Sequence, residues 1–265
     1  MGMNLLKVEG LACGYHGKAL LRDVRFSLDQ GQILCILGPN GVGKTTLFKT
    51  ILGLLPPLGG SLFLNGSLVS YRSRKRTPKG ISYVPQAHTP VFPFTVLDVA
   101  VMGRTAEMRP FATPSALDYE RTRQVLDGFG LLHLKDKLYT EISGGERQLV
   151  LIARALVQNP QILIMDEPAS SLDLGNQAKL LGRVRQLSRE CRLGAIMTSH
   201  NPNHALQVAD HVLLLRPGGA CSFGPVDEIV TVEALTAAYE TKLDILQAHK
   251  ENGRIQKSII LQIEE

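Results

Sequence analysis

Two short stretches of this sequence carry residue types that handle phosphate. Residues 38–45, GPNGVGKT, fit the pattern G-x-x-x-x-G-K-[ST] in full. Glycines at that spacing let backbone N–H groups turn inward onto phosphate oxygens, and a helix starting just after them adds positive potential. Lys44 can then bridge the β- and γ-phosphates, and Thr45 can ligate Mg²⁺. Gly38, Pro39, Asn40, Gly41, Val42, Gly43, Lys44, Thr45 and Thr46 are thus the candidate nucleotide-binding residues. The second stretch, ILIMDEP at 162–168, is an apolar run ending in two carboxylates. Asp166 would hold the Mg²⁺ through water, and Glu167 would orient and polarise the water that attacks the γ-phosphate. By itself such a run is an ordinary strand end; a phosphate loop in the same chain gives it chemical meaning.

A third stretch, EISGGERQLVLIARAL at 141–156, opens with Ser143 and has Glu146 three residues on, the pattern of a capping box. Capping has no need of Gly144 and Gly145. Two residues without side chains leave backbone N–H groups open at the positive end of a helix, which makes a second phosphate-binding surface.

These residues need elements to hold them. GQILCILG reads as a buried strand running into the glycine loop, and KTTLFKTILGLL has helical periodicity, so strand, loop and helix follow in the order that a phosphate loop requires. Near the N-terminus, LLKVEGLACGY and LLRDVRFSL are strand-like, and beyond the loop SLFLNGSLV (61–69) places Asn65-Gly66 as a two-residue hairpin turn, which predicts an opening antiparallel layer. From about Ala87 to Glu141 prolines punctuate the chain, and SALDYERTRQVLDGFGLLHLKDKL is periodic, which predicts a helical lobe inserted into an α/β core. After it, the strand candidates QILIMDEP and GAIMTSH alternate with the helix candidates ERQLVLIARALVQ and GNQAKLLGRVRQLSRE, the pattern of a parallel sheet. At the end VLLLRPGGACSFG reads as a hairpin, PVDEIVTVEALTAAYE as a helix, and HKENGRIQKSIILQI as a hairpin around Asn252-Gly253.

Bulk composition narrows the class further. A chain of 265 residues, 44% hydrophobic and 20% charged, is globular and can bury a substantial core. The net charge of +5 is spread along the sequence, and the RSRKR run at 72–76 has no interleaved aromatics, so it reads as a solvated loop rather than a nucleic-acid patch. Cys13, Cys35, Cys191 and Cys221 lie far apart, as expected of reduced thiols and not of a zinc site or a disulfide framework. The N-terminus has no basic-then-apolar secretory pattern, and apolar runs such as ILCIL and VLLL are far short of the roughly 20 residues that span a bilayer. The chain is expected to stay in the cytoplasm and not to cross a membrane by itself.

The ordered set of phosphate loop, YVPQ (83–86), ISGGE (142–146), ILIMDEP, SSLD (170–173) and TSH (198–200) resembles the ATPase subunit of ATP-binding cassette (ABC) transporters over about residues 4–240. The resemblance implies a P-loop NTPase core with a mainly parallel sheet, an N-terminal antiparallel β subdomain and an inserted α-helical subdomain. The ATPase domain would cover 1–240, with the helical subdomain at about 87–155 and a C-terminal extension at 241–265. It also implies a head-to-tail homodimer, with ATP between the phosphate loop of one subunit and Ser143, Gly144, Gly145 and Glu146 of the other. Position by position, Tyr15 matches the aromatic that stacks on adenine, and Gln86 the glutamine that senses Mg²⁺ and links to the membrane partner. His200 matches the γ-phosphate contact, and Asp173 the aspartate that crosses the dimer interface. Without that context Tyr15 and His200 read as a packed aromatic and a core histidine. The signature departs from the usual one in Ile142 for Leu and Glu146 for Gln, but its glycine pair is intact.

PFTVLDVAVMGR (93–104) and LDLGNQ (172–177) are similar to segments of the ATPases that serve importers of iron–siderophore complexes, haem, cobalamin and molybdate. The likeness implies two ATPase subunits at the cytoplasmic face of the inner membrane, two multi-helix permeases, and a substrate-binding protein acting through them. Nucleic acid is not expected as a partner. Iron chelate comes first as cargo, with molybdate, cobalamin or haem behind it; an exporter subunit or an ABC ATPase of DNA repair or ribosomes stands as the alternative. One cassette and no sustained heptads argue against the soluble kinds.

Overall fold

The computed structural model describes residues 4–71, 77–86, 93–109, 112–170, 172–249 and 255–262. The RSRKR run and the Asn252-Gly253 pair lie outside the described residues.

β1 (Leu6–Tyr15) and β2 (Lys18–Leu28) pair antiparallel around His16-Gly17, both at positive φ, the turn whose twist suits a hairpin. β3 (Ile33–Leu37) is buried along its whole length. Because side chains alternate across a strand, Ile33, Cys35 and Leu37 pack into one core while Leu34 and Ile36 pack into another. The glycine loop then turns the chain into α1 (Lys44–Ile51). β4 (Gly59–Leu64) and β5 (Ser67–Leu68) close around Asn65-Gly66 as the sequence predicts, and the antiparallel sheet has the order β2-β1-β4-β5.

β6 (Ile81–Val84) precedes the helical segment α2 (Val96–Val101), α3 (Ala116–Gly128) and α4 (Gly144–Leu156). Each of these helices starts with a capping box, Thr95 with Asp98, Ser115 with Asp118 and Ser143 with Glu146. The core resumes with β7 (Ile162–Met165), α5 (Leu174–Glu190), β8 (Gly194–Ser199), α6 (Pro202–Val208), β9 (His211–Leu215) and β10 (Cys221–Pro225). The second sheet has the order β10-β9-β3-β8-β7-β6 and is parallel except for β10, so the expected α/β core with a mainly parallel sheet is borne out. α1 and the antiparallel sheet cover one of its faces, and the remaining larger helices cover the other.

Three sequence readings are corrected by the structure. The stretch 225–240 is two helices, α7 (Val226–Ile229) and α8 (Val232–Tyr239), because Val230 leaves helical geometry at ψ 78° and the Thr231 side chain caps α8 by accepting the Ala234 N–H. The periodic segment from Ser115 is α-helical only to Gly128; Gly130 at φ 68° turns the chain, and a short 3-10 turn follows at Leu132–Leu134. The last hairpin pairs β11 (Leu243–His249) with β12 (Ile255–Leu261), so its first strand begins six residues ahead of the HKENG stretch. This hairpin is fastened to α6 by the Asn203 amide, which donates to the Ile259 carbonyl at 3.1 Å and accepts the Ile259 N–H at 2.8 Å.

Candidate active site

β3, β8 and β7 are neighbours in the parallel sheet, with Leu37 opposite Ser199 and Met165 opposite Met197. Their carboxyl ends therefore deliver the glycine loop, His200 and the Asp166-Glu167 pair to one edge of the sheet, where open α/β folds bind ligands. The loop needs its glycines for two separate reasons. A Cβ on Gly38 would stand 2.7 Å from the Leu215 carbonyl oxygen, and Gly43, the residue before α1, holds φ 114°. Gly43 offers no side chain to cap α1, so that helix presents its first N–H groups to the loop.

Lys44 is nearly buried, at 7% exposure. Its ammonium donates to the Gly38 carbonyl at 2.7 Å and the Pro39 carbonyl at 3.2 Å, and Glu167 Oε1 lies 3.7 Å away. Burial pushes the Lys44 pKa down, while the Glu167 and Asp166 carboxylates pull it back up. A cation so placed, with few waters to compete, is suited to anionic phosphate oxygens.

Asp166 and Thr45 converge across the sheet edge. Thr45 Oγ1 is 3.5 Å from Asp166 Oδ2, and the Tyr83 hydroxyl donates to the same oxygen at 3.4 Å. Thr198 Oγ1 donates to Asp166 Oδ1 at 2.7 Å and accepts the Glu167 N–H at 2.8 Å. One hydroxyl thus orients both acidic residues. A hydroxyl and a carboxylate oxygen facing one point fit the hard-oxygen chemistry of Mg²⁺, which takes one or two protein ligands and completes its shell from phosphate and water. Among the described residues no cluster of three or more His, Cys, Asp or Glu could hold a metal ion unaided.

Glu167 sits at φ 46°, a left-handed backbone uncommon outside glycine. Its Oε1 points toward Lys44, and its Oε2 lies 3.2 Å from His200 Nδ1. Gln86 Nε2 donates to Ser170 Oγ at 3.2 Å, and Ser170 Oγ donates to the Glu167 carbonyl at 3.0 Å, so Gln86 reaches the Glu167 backbone through one hydroxyl. Lys44, Thr45, Gln86, Asp166, Glu167 and His200 are therefore brought together in one chain.

Other candidates lie apart. Tyr15 ends β1 at 40% exposure, and does not line the cleft of about 410 Å³ that runs from Ala19 and Leu20 past Pro39–Val42 to the turn at Pro217–Gly219. In the 143–146 stretch the capping box closes: Ser143 Oγ accepts the Glu146 N–H at 3.3 Å, and Glu146 Oε2 accepts the Ser143 N–H at 2.7 Å. These bonds hold the Glu146 pKa below the usual carboxylate range. A Cβ on Gly144 would meet nothing within 4 Å, and one on Gly145 would meet the Asn176 side chain at 3.2 Å. Asn176 is itself bound to Asp173, whose carboxylate caps α5 by accepting the Asn176 N–H at 2.9 Å and the Nδ2–H at 2.7 Å. The glycine pair and Asp173 thus share one surface, and among the described residues no hydrogen bond or ion pair joins 143–146 to the phosphate loop of the same chain.

Known proteins match this chain in sequence and in fold. The ABC transporter family model matches residues 21–170. The chain belongs to the ABC transporter ATPase family. It is 41% identical over 255 residues to an uncharacterized ABC transporter ATP-binding protein of Haemophilus influenzae, with 96% of each chain covered. It is 36% identical to the molybdate import ATP-binding protein MolC of the same organism, covering 92% of this chain and 91% of that one. It is 34% identical to a "Probable iron chelatin transport ATP-binding protein" of Helicobacter pylori, covering 91% and 95%. A solved ABC transporter assigned to the metal-chelate type, in an inward-facing conformation, superposes with a TM-score of 0.88 at 32% identity and 98% coverage of both chains. As a family member this ABC subunit is an ATPase that powers transport. Among the described residues no helix is long and apolar enough to cross a membrane.

Several supporting residues escaped the sequence reading. Thr198 and Tyr83 lie inside the TSH and YVPQ motifs without a signal of their own beyond being polar residues near the end of an apolar strand. Tyr239, whose hydroxyl accepts the Gly38 N–H at 3.2 Å, had no local signal.

Proposed function

We propose that this subunit hydrolyses Mg·ATP to drive import of a metal chelate or metal oxyanion through a separate permease, with iron chelate as the first candidate cargo. The observation that supports this most strongly is the match over 98% of both chains to a transporter assigned to the metal-chelate type. The relatives named for iron chelatin and for molybdate, at 34% and 36% identity, point to the same cargo group, and molybdate is the second reading on that account. The assembly proposed is a homodimer of this chain on the cytoplasmic face of the inner membrane, with two permease subunits and a substrate-binding protein acting through them.

In the proposed mechanism the 38–46 loop and the α1 N-terminus bind the phosphates, and Lys44 exchanges its carbonyl partners for phosphate oxygens. Thr45 and Asp166 would hold Mg²⁺, with Gln86 close by; when bound, the ion neutralises developing phosphate charge. Glu167 orients the attacking water and takes up its proton, and His200, at the carboxylate's other oxygen, steadies Glu167 and reaches the γ-phosphate. Tyr15 stacks on the base. Ser143, Gly144, Gly145 and Glu146 of the second subunit close over the nucleotide, and Asp173 crosses between the two subunits. Closing and reopening of the dimer pass to the permease through the Gln86 region and the helical segment.

Pull-down of the tagged subunit from detergent-solubilised membranes, followed by mass spectrometry, tests the assembly. A polytopic permease is expected, and its complex should show ATPase stimulated by iron chelate or molybdate in the presence of the binding protein. Ribosomes or DNA-repair proteins without a permease would overturn the reading.

A further inference from the structure

The contact between Glu167 and His200 brings together two loops, the one after β7 and the one after β8, and His200 is half exposed there. A half-exposed contact of this kind is weak and cannot by itself fix the loops. Beside it runs a chain of hydrogen-bonded side chains, with Ser199 and His204 buried and Gln177 half-buried. Gln177 on α5 uses both amide hydrogens, donating to the Leu172 carbonyl at 2.9 Å and the Ala169 carbonyl at 3.1 Å. Its Oε1 is left as an acceptor and lies 3.3 Å from Nε2 of His204 on α6. Nε2 must therefore carry a hydrogen. In the neutral ring Nδ1 is then an acceptor for the hydroxyl hydrogen of Ser199, 3.0 Å away; the Asn201 carbonyl, 3.1 Å from the same hydroxyl, is the alternative acceptor but already takes the His204 N–H at 3.1 Å, and Ser199 Oγ accepts the Asn201 N–H at 3.0 Å. His204 is 5% exposed, and burial lowers its pKa, which favours the neutral ring.

We propose that Gln177 and His204 are positioning residues for ATP hydrolysis: Ser199, His204 and Gln177 form a brace that sets the separation of the loop bearing Glu167 and the loop bearing His200. A hydrogen-bonded network anchored on the buried Ser199 and His204 resists deformation more than an exposed pair does. The brace touches neither the phosphate loop nor Thr45, so it acts on turnover and not on nucleotide capture. This inference rests on the role proposed above for Glu167.

Steady-state ATPase of the full-length chain tests it with His204→Leu, Gln177→Met, the double variant, and His204→Gln, which keeps one donor and one acceptor. Each of the first two should lower kcat by about tenfold with KM for ATP within about twofold, as expected when a transition-state arrangement is disturbed and ground-state binding is not. Because the two side chains act in series, the double variant should lose no more than either single one. His204→Gln should recover most of the loss. Should His204→Leu fail to fold, Gln177→Met and His204→Gln carry the test, since one must lose kcat and the other keep it. Unchanged kcat, a matching rise in KM, multiplicative losses in the double variant, or no recovery in His204→Gln would each overturn the brace. Glu167→Gln, assayed alongside, separates the two ideas: if it keeps full turnover the role of Glu167 fails, and the brace is still judged by kcat of the other variants.

Discussion

The Tyr239 hydroxyl accepts the Gly38 N–H at 3.2 Å, joining α8 to the first glycine of the phosphate loop across 201 positions of sequence. The side chain is half-buried, and its burial holds the phenol pKa above the ordinary range, so Tyr239 stays neutral at any working pH. Gly38 is also pinned by the close approach of the Leu215 carbonyl, which leaves the loop little freedom at this point.

Tyr239→Phe keeps the ring and removes the acceptor, leaving the Gly38 N–H without a partner. The expected cost is about 1 kcal/mol, or about 3 °C in Tm for a chain of this size. KM for ATP should rise by up to about fivefold with kcat unchanged, because 1 kcal/mol corresponds to that factor in affinity. Thermal denaturation and ATP titration of the ATPase rate check both, and wild-type values would show that the hydroxyl does not hold the loop.

Glu167→Gln keeps the left-handed backbone and the Thr198 bond to the Glu167 N–H, but replaces the carboxylate between Lys44 and His200 by a neutral amide. Turnover should fall by roughly a hundredfold or more with nucleotide binding retained, the signature of a lost general base. Lys44→Ala should instead lose binding, since the cation at the phosphate site is removed. Rapid-quench hydrolysis and a fluorescent-nucleotide titration distinguish the two; equal turnover by Glu167→Gln would refute the water-orienting role.

Most of what positions the phosphate loop and the acidic pair locally is legible in the sequence. The 38–45 pattern, the ILCIL and ILIM strands and the Ser143-to-Glu146 cap each lie within a few residues, where periodicity and capping signals operate. α6 was missed although Asn201 and Pro202 are a helix start, because its seven residues are too few to show a period. The break at Val230-Thr231 was missed because a β-branched pair between two apolar stretches looks like one amphipathic run until the Thr231 cap is seen. Thr198, Gln177, His204 and Tyr239 act through contacts that exist only once strands and helices are side by side, and a single sequence carries no record of such pairings.

Acid should loosen the helical segment through Asp118. Its carboxylate accepts the Ser115 hydroxyl at 2.7 Å, the Ser115 N–H at 2.9 Å and Arg104 Nε at 2.8 Å, and these bonds draw its pKa from the ordinary 3.8 to about 2. A carboxyl whose pKa is lower folded than unfolded stabilises above the unfolded value and loses that contribution as pH falls through the folded one. The window is therefore from about pH 4 down to about pH 2. Glu146 and Asp173 are shifted in the same direction by their own caps and add to the slope. Asp118→Asn should be less stable at neutral pH and show a shallower loss across that window; denaturant midpoints from about pH 5 to about pH 2 check it. An unchanged slope would mean that this cap carries no linkage.

Gly144→Ala gives a direct test of the proposed second phosphate surface. A methyl group there meets nothing within 4 Å in the single chain, and Gly144 has no positive φ, so the variant should fold as the wild type does and keep its Tm or gain slightly, alanine being the better helix former. If the 143–146 stretch closes over nucleotide bound to another subunit, the same methyl group stands between backbone N–H groups and phosphate. In a Glu167→Gln background, where hydrolysis does not reopen the pair, ATP should then drive the parent into dimers, and the Gly144→Ala form should need about tenfold more ATP to dimerise, a loss of about 1.4 kcal/mol at the interface. Size-exclusion chromatography with light scattering across an ATP series reads this out. Equal dimerisation by the two forms, with normal folding, would place the contact surface elsewhere on the molecule, because the monomer offers the methyl group nothing else to disturb.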